Sequence, residues 1–131
     1  MNKEHKVSVY DMAKQLNLKE VIPEINTREI FITQAEINRP ALQLAGFFEH
    51  FSNNRIQIIG NVEYLYLQEI RKDDAAEGII FVRLFSAGIP CLVFCNSLEP
   101  NNRMTYIAKK YNVPILISRE TTSEFMAEVI R

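Results

Sequence analysis

Two rhythms of apolar residues take turns along this chain, one with the spacing of helices and one with that of strands. Ser8 followed by Asp11 marks a helix start, with Met12, Ala13 and Leu16 as a short apolar face and Asn17 as a C-terminal stop. Arg28 to Thr33 reads as a strand whose alternation is marred by Phe31. Arg39-Pro40 opens a second helix with Pro40 at its first position and Leu42, Leu44, Ala45 and Phe48 making apolar contacts. Ile56 to Ile59 is a short strand ending at Gly60-Asn61, and Val62, Leu65, Tyr66 and Ile70 then repeat at helical spacing.

The second half continues in kind. Gly78 to Phe85 reads as a helix, because a polar turn precedes it and Gly88 follows. Cys91 to Phe94 is a buried strand, and Met104, Ile107, Ala108 and Tyr111 form a helix entered through Pro100-Asn101-Asn102. Asn112-Val113-Pro114 stops that helix before a third apolar strand, Ile115-Leu116-Ile117. Thr121 and Glu124 form a capping box ahead of Phe125, Met126, Val129 and Ile130. This alternation predicts an α/β fold, a mostly parallel sheet flanked by helices with right-handed crossovers. With no linker or repeat, residues 1–131 read as one domain around one core.

Charge and composition trim the range of functions. Fifteen basic against sixteen acidic side chains give a net charge of −1, without the basic excess of a nucleic-acid binder. No apolar run approaches the roughly 18 residues of a membrane span, so neither nucleic acid nor membrane is an expected partner. Cys91 and Cys95 fall on one face of their strand about 13 Å apart, too far for a disulfide, and read as buried thiols of a cytoplasmic protein. His5 and His50 lack the paired spacing of a zinc site, so no metal is expected. The four glycines form neither a phosphate-cradling loop nor a dinucleotide fingerprint.

One stretch is distinctive: Ile37-Asn38-Arg39-Pro40-Ala41-Leu42-Gln43-Leu44-Ala45-Gly46-Phe47-Phe48. With Arg55 to Glu63, Pro90 to Phe94, Leu98-Glu99-Pro100, Val113 to Leu116 and Thr121-Thr122, it resembles the N-terminal domain of bacterial HPr kinase/phosphorylase over roughly residues 7 to 131. Ala41 stands where the family varies from glycine.

The resemblance implies a bifunctional enzyme that phosphorylates a serine of the phosphocarrier HPr with ATP or pyrophosphate and magnesium. It also removes that phosphate by phosphorolysis, in carbon catabolite control. The resemblance places the phosphate-binding loop in a catalytic domain expected after Arg131, and the final helix, capped at its start but not at its end, suits a chain continuing further. It further implies a fold like the nucleotide-sugar-binding domain of the muramyl ligases. Partners would be the chain's own catalytic domain and sister subunits in a hexamer, with HPr reached through the catalytic domain. This segment would be inactive alone and need no cofactor. An alternative is a free-standing small-ligand sensor of the DRTGG type.

Candidate site residues lie where strands end, since ligands of open parallel sheets bind outside the carboxyl ends. They are Asn38, Arg39, Gly60, Asn61, Asn96, Ser97, Arg119, Thr121 and Thr122, as ligand or interface contacts and none of them catalytic. Asn61, Ser97 and Thr121 also read as helix caps or turn formers. Arg39 stands out because a helix dipole does not favour a cation at a helix N-terminus. An interdomain or intersubunit salt bridge is its expected role. Phe47, Phe48 and Phe51 around His50 read as core packing, and Arg71-Lys72-Asp73-Asp74 as a solvated loop. The isolated chain is expected to be monomeric or weakly dimeric, with any weak dimer driven by the apolar face of the final helix.

Overall fold

The structure, a computed structural model, describes residues 6–70 and 72–130, with side chains through residue 129. Three strands, β5 (Ile56–Ile59), β6 (Leu92–Phe94) and β7 (Ile115–Ile117), form the centre and are buried along their whole length. They are parallel to one another and to the edge strand β4 (Ile37–Asn38), while β2 (Lys19–Glu20) pairs antiparallel with β7 at the opposite edge. The sheet order is therefore β2-β7-β6-β5-β4, the mostly parallel α/β sheet that the alternation predicts.

Burial on both faces explains why these strands are apolar at every position, and it divides the interior into two cores where one was expected. Ile59, Leu92, Phe94, Ile115 and Ile117 face α2 (Ala41–Leu44), α3 (Asn61–Ile70), α4 (Asp74–Ser86) and α5 (Asn102–Lys110). Ile58, Cys91, Val93, Cys95 and Leu116 face α1 (Val9–Gln15) and α6 (Thr122–Ile130). The crossovers from β4 through β7 lie on one face while the sheet grows in one direction, so all share one hand.

Local chemistry sets many of the boundaries. Ser8 Oγ accepts from the Asp11 N–H at the start of α1, and Asn17 stops that helix in the left-handed conformation at φ 58°. Asn101 Oδ1 caps α5 by accepting from the Met104 N–H at 2.8 Å, and Asn112 ends it at φ 60°. Thr121 and Glu124 exchange the two bonds of the expected capping box.

Several expectations are corrected. Thr27–Glu29 is a 3₁₀ turn, and the strand beyond it shrinks to β3 (Phe31–Ile32). β3 pairs with β1 (Val7–Ser8) in a separate two-stranded sheet, because Ile32 packs toward the α1 core and not into the main sheet. α2 is a single turn with Pro40 in the capping position, and the chain leaves it through Gly46 at φ 100°. Leu42 points to solvent, as does Phe47; Phe48 and Phe51 alone of that aromatic group pack edge-on and reach the core. α4 begins four residues earlier than predicted: Asp73, read as loop, caps it by accepting from the Ala76 N–H, and Arg71 lies outside the described residues.

α3 is rotated from its predicted face. It buries Glu63 and Leu67 and leaves Val62, Leu65 and Tyr66 exposed, because Glu63 has polar partners inside. α6 is better absorbed than predicted: Phe125 is buried, and Met126 and Val129 pack against the α1 core, while the Ile130 side chain lies outside the described residues. A polar clamp ties α4 to α5. Arg103 Nη1 donates to Glu77 at 2.7 Å and Asp74 at 3.0 Å, and Asn101 Nδ2 donates to the other Glu77 oxygen.

Candidate functional site: the carboxyl edge of the sheet

Since β4 to β7 run parallel, their carboxyl ends share one edge, and there the structure gathers polar residues into two clusters. The first lies over β4, β5 and β6. Arg39 donates to Glu63 twice, from Nε at 2.9 Å and Nη2 at 3.0 Å. Glu63 Oε1 also accepts from the Gly60 N–H at 2.8 Å, so the carboxylate caps α3 from within while holding the guanidinium. Gly60 is tightly enclosed: a Cβ there would lie 2.5 Å from Thr122 Oγ1 and 2.8 Å from Arg39 Nη2.

These bonds set the ionisation of the cluster. The bond to Glu63 raises the Arg39 pKa against the opposing effect of burial. Burial pushes Glu63 up, but the bonds from Arg39 and the N–H groups of Glu63 and Gly60 outweigh it and hold the carboxyl below its ordinary value. Burial pushes the Cys95 thiol up to about 11, against smaller opposing effects of Thr122 and Arg39, and Cys91 up to about 12. Both are neutral thiols at neutral pH, without the thiolate that nucleophilic chemistry needs.

Asn38, beside Arg39, belongs to a different network. Its amide donates to Gln57 at 2.7 Å and Gln43 at 3.2 Å, and Gln57 in turn donates to the carbonyls of Arg55 and Ser52. Asn38 is thus a structural amide in the β4–β5 pairing. Asn61 is the first helical residue of α3 and exposed, while the cap position is Gly60, whose carbonyl accepts from the Tyr64 N–H.

The second cluster lies over β7 and β2. Asn17, Leu18, Lys19, Ser97, Glu99, Ile117 and Arg119 line a groove of about 410 Å³. Asn96 and Ser97 are both left-handed, at φ 59° and 57°, an unusual pair for residues other than glycine. Their N–H groups bond the carbonyls of Glu120 and Ser118, fastening the turn after β6 to the segment after β7. Lys19 and Arg119 have no ion-pair partner among the described residues, so two cations and the Ser97 hydroxyl border the groove with one carboxylate, Glu99.

The edge thus joins Arg39, Gly60 and Thr122 in one cluster and Ser97 with Arg119 in another, and Thr121 serves as a cap. Arg39's salt bridge is made inside the domain, where a partner from another domain or subunit was expected. Sequence reasoning missed Glu63, although a glutamate three residues after a helix N-cap can reach back to that residue's N–H, here Gly60, as the glutamate of a capping box does. It missed Lys19 because β2 is only two residues long. Among the described residues no group of three or more potential metal ligands assembles, and no helix is long and apolar enough to cross a membrane.

Comparison with known proteins places this architecture. The family model described as the HPr Serine kinase N terminus matches residues 7–131. The chain is 45% identical over 125 residues to an HPr kinase/phosphorylase of Lachnoclostridium phytofermentans, covering 95% of this chain and 40% of that protein. It is 40% identical to the same enzyme of Caldicellulosiruptor bescii, over 93% of this chain and 39% of that protein. The chain spans about two-fifths of the length of these relatives. Among solved structures, the CBS and DRTGG domains of the regulatory region of Clostridium perfringens pyrophosphatase, complexed with the activator diadenosine tetraphosphate, superpose with a TM-score of 0.59 at 18% identity. That match covers 94% of this chain and 45% of the other. With its sheet, its carboxyl-edge clusters and the family match along nearly its whole length, this chain belongs to the family of HPr serine kinase N-terminal domains.

Proposed function

We propose that this domain is the regulatory and assembly module of an HPr kinase/phosphorylase and carries no catalysis of its own. The observation that carries the reading is the family match over residues 7–131, together with a chain that spans about 40% of the length of its enzyme relatives. In the complete cytoplasmic enzyme, phosphoryl transfer to and from a serine of HPr, with ATP or pyrophosphate and magnesium, belongs to the remaining part. Phosphoryl transfer demands a phosphate cradle and metal ligands; at the carboxyl edge one cluster is a closed ion pair beside the neutral Cys95 thiol, and among the described residues no group of three or more potential metal ligands assembles. The domain's partners are sister subunits and the catalytic domain, and its fold is of the kind found in the nucleotide-sugar-binding domain of the muramyl ligases. The test is direct: the purified 131-residue chain, mixed with HPr and ATP-magnesium, leaves HPr unphosphorylated. Serine phosphorylation by this chain, free of contaminating kinase, overturns the reading.

A second reading, a small-ligand sensor of the DRTGG type, is favoured by the Lys19–Arg119 groove and its left-handed Asn96-Ser97 turn. Two cations with no ion-pair partner among the described residues, beside a hydroxyl and against a single carboxylate, Glu99, suit a phosphate-bearing metabolite or nucleotide. The pyrophosphatase region of similar fold was solved with a nucleotide activator. Thermal shift against nucleotides, sugar phosphates and UDP-sugars tests it, since a ligand at 100 times its Kd stabilises by about 2.7 kcal/mol. A melting temperature that none of them raises removes this reading.

A further inference from the structure

α4 is apolar around its circumference, with Arg83 the sole charged residue from Gly78 to Phe85. Phe81, Leu84 and Phe85 are buried in the core, yet on the other side Ile79 is 61% and Val82 38% exposed. A helix with apolar residues on every side is normally covered on every side. The described residues cover only one side of α4. Along the open side, Asp74, Ala75, Gly78, Ile79, Val82 and Arg83 border a groove of about 450 Å³ with the largely buried Ile107 as their neighbour from α5.

The order of those six residues is self-complementary. Laid against a reversed copy of itself, the helix sets Asp74 opposite Arg83, Ala75 opposite Val82 and Gly78 opposite Ile79. Acid meets base at the ends, and a small residue meets a branched one at each step between. Nothing lies within 4 Å of where a Gly78 Cβ would be, so another backbone can approach closely there. Asp74 holds Arg103 through Oδ1, which leaves Oδ2 able to accept from a second arginine. Arg83 donates Nη1 to the Gly46 carbonyl, just before the exposed Phe47, so the apolar area continues past the Arg83 end.

We infer that two copies of this chain pair through α4, antiparallel about a two-fold axis between Gly78 and Ile79, with Ile79 of each copy seated over Gly78 of the other. Such an isologous contact uses one surface twice, which is why a self-complementary order marks it. The inference deepens the assembly role proposed above by naming the surface, and it rests on that reading only for its meaning in the complete enzyme.

Sedimentation velocity of the 131-residue chain over a concentration series tests it. The wild type associates reversibly to a dimer. Ile79→Glu and Gly78→Leu each weaken that association at least about tenfold, equivalent to about 1.4 kcal/mol. Gly78→Leu guards against misfolding as the explanation, because replacing a helical glycine in open space favours the folded monomer. Tyr106→Glu, on the exposed side of α5 and outside the groove, leaves association unchanged. A wild type that stays monomeric to its solubility limit overturns the pairing. Association that survives both α4 variants overturns this surface while the assembly role stands.

Discussion

The two clusters on the carboxyl edge use similar residue types to opposite ends. Over β4 to β6, one cation meets one buried carboxylate, every short bond is made, and Gly60 leaves no spare volume. Over β7 and β2, two cations, a hydroxyl and one carboxylate, Glu99, stand around an open groove, and neither cation has an ion-pair partner among the described residues. The contrast separates what a polar strand end contributes to the fold from what it leaves for a ligand. Arg39, the most conspicuous charge in the sequence, belongs to the fold. Lys19 and Arg119, on exposed positions, are the ones left over.

That division predicts a graded series of effects. The largest is expected at Arg39→Ala, which strands the Glu63 carboxylate in the interior. Breaking a fully buried pair costs about 3–5 kcal/mol, and the 41% exposure of the arginine side chain brings the expected loss to about 2–3 kcal/mol. Its pH dependence has a definite sign. Glu63 has its folded pKa depressed, so the pair's stabilisation is complete above the unfolded carboxylate value of about 4.3 and is lost as pH falls through the lower folded value. Denaturant melts of wild type and Arg39→Ala should differ most near neutrality and converge in acid. Parallel curves across that range would break the assignment of Arg39 to the fold.

A smaller loss, about 1–3 kcal/mol, is expected at Gly60→Ala, where the new methyl meets Thr122 Oγ1 and Arg39 Nη2. Adding Thr122→Ala removes the nearest of these atoms, so the double variant should be more stable than the two single losses imply. Strict additivity in chemical denaturation would show that the three groups do not share one space. The smallest effects belong to the open groove. Lys19→Ala and Arg119→Ala should stay within about 0.5 kcal/mol of wild type, yet each should reduce any melting-temperature rise produced by a phosphate-bearing ligand. A loss well above 1 kcal/mol from either would mean that its side chain supports the fold after all.

The sequence made the centre of this molecule legible because strands buried on both faces need unbroken apolar runs, as at Ile56–Ile59, Leu92–Phe94 and Ile115–Ile117. Two helix starts were legible too, since Ser8 and Thr121 act on residues three positions away, whereas Asn61 lies one residue inside its helix and the cap position falls on Gly60. The edges were not. β2 and β4 are two residues each, too short for any period to register, and their pairing depends on distant chain. α3 misled for a different reason. Its apolar residues Val62, Leu65 and Tyr66 have helical spacing, but Glu63 has a stronger claim on the interior through Arg39 and Gly60. Half of the candidate site was therefore readable as residue types at strand ends. Which charges pair and which stay open depended on three-dimensional neighbours.

The pairing of β2 with β7 has a consequence for how the chain is made. β4 to β7 follow one another in the sheet, so each can dock on a neighbour already synthesised. β2 cannot, because Lys19 pairs with Ile117, roughly a hundred residues later, and closing so long a loop costs entropy before any contact rewards it. α1 has a near neighbour first, through the Val9 N–H on the Ile30 carbonyl, but its core is completed only by Leu116 and by Phe125 of α6. During synthesis β2 therefore waits for β7 to emerge, and the sheet gains its antiparallel edge only when residues roughly a hundred positions apart meet.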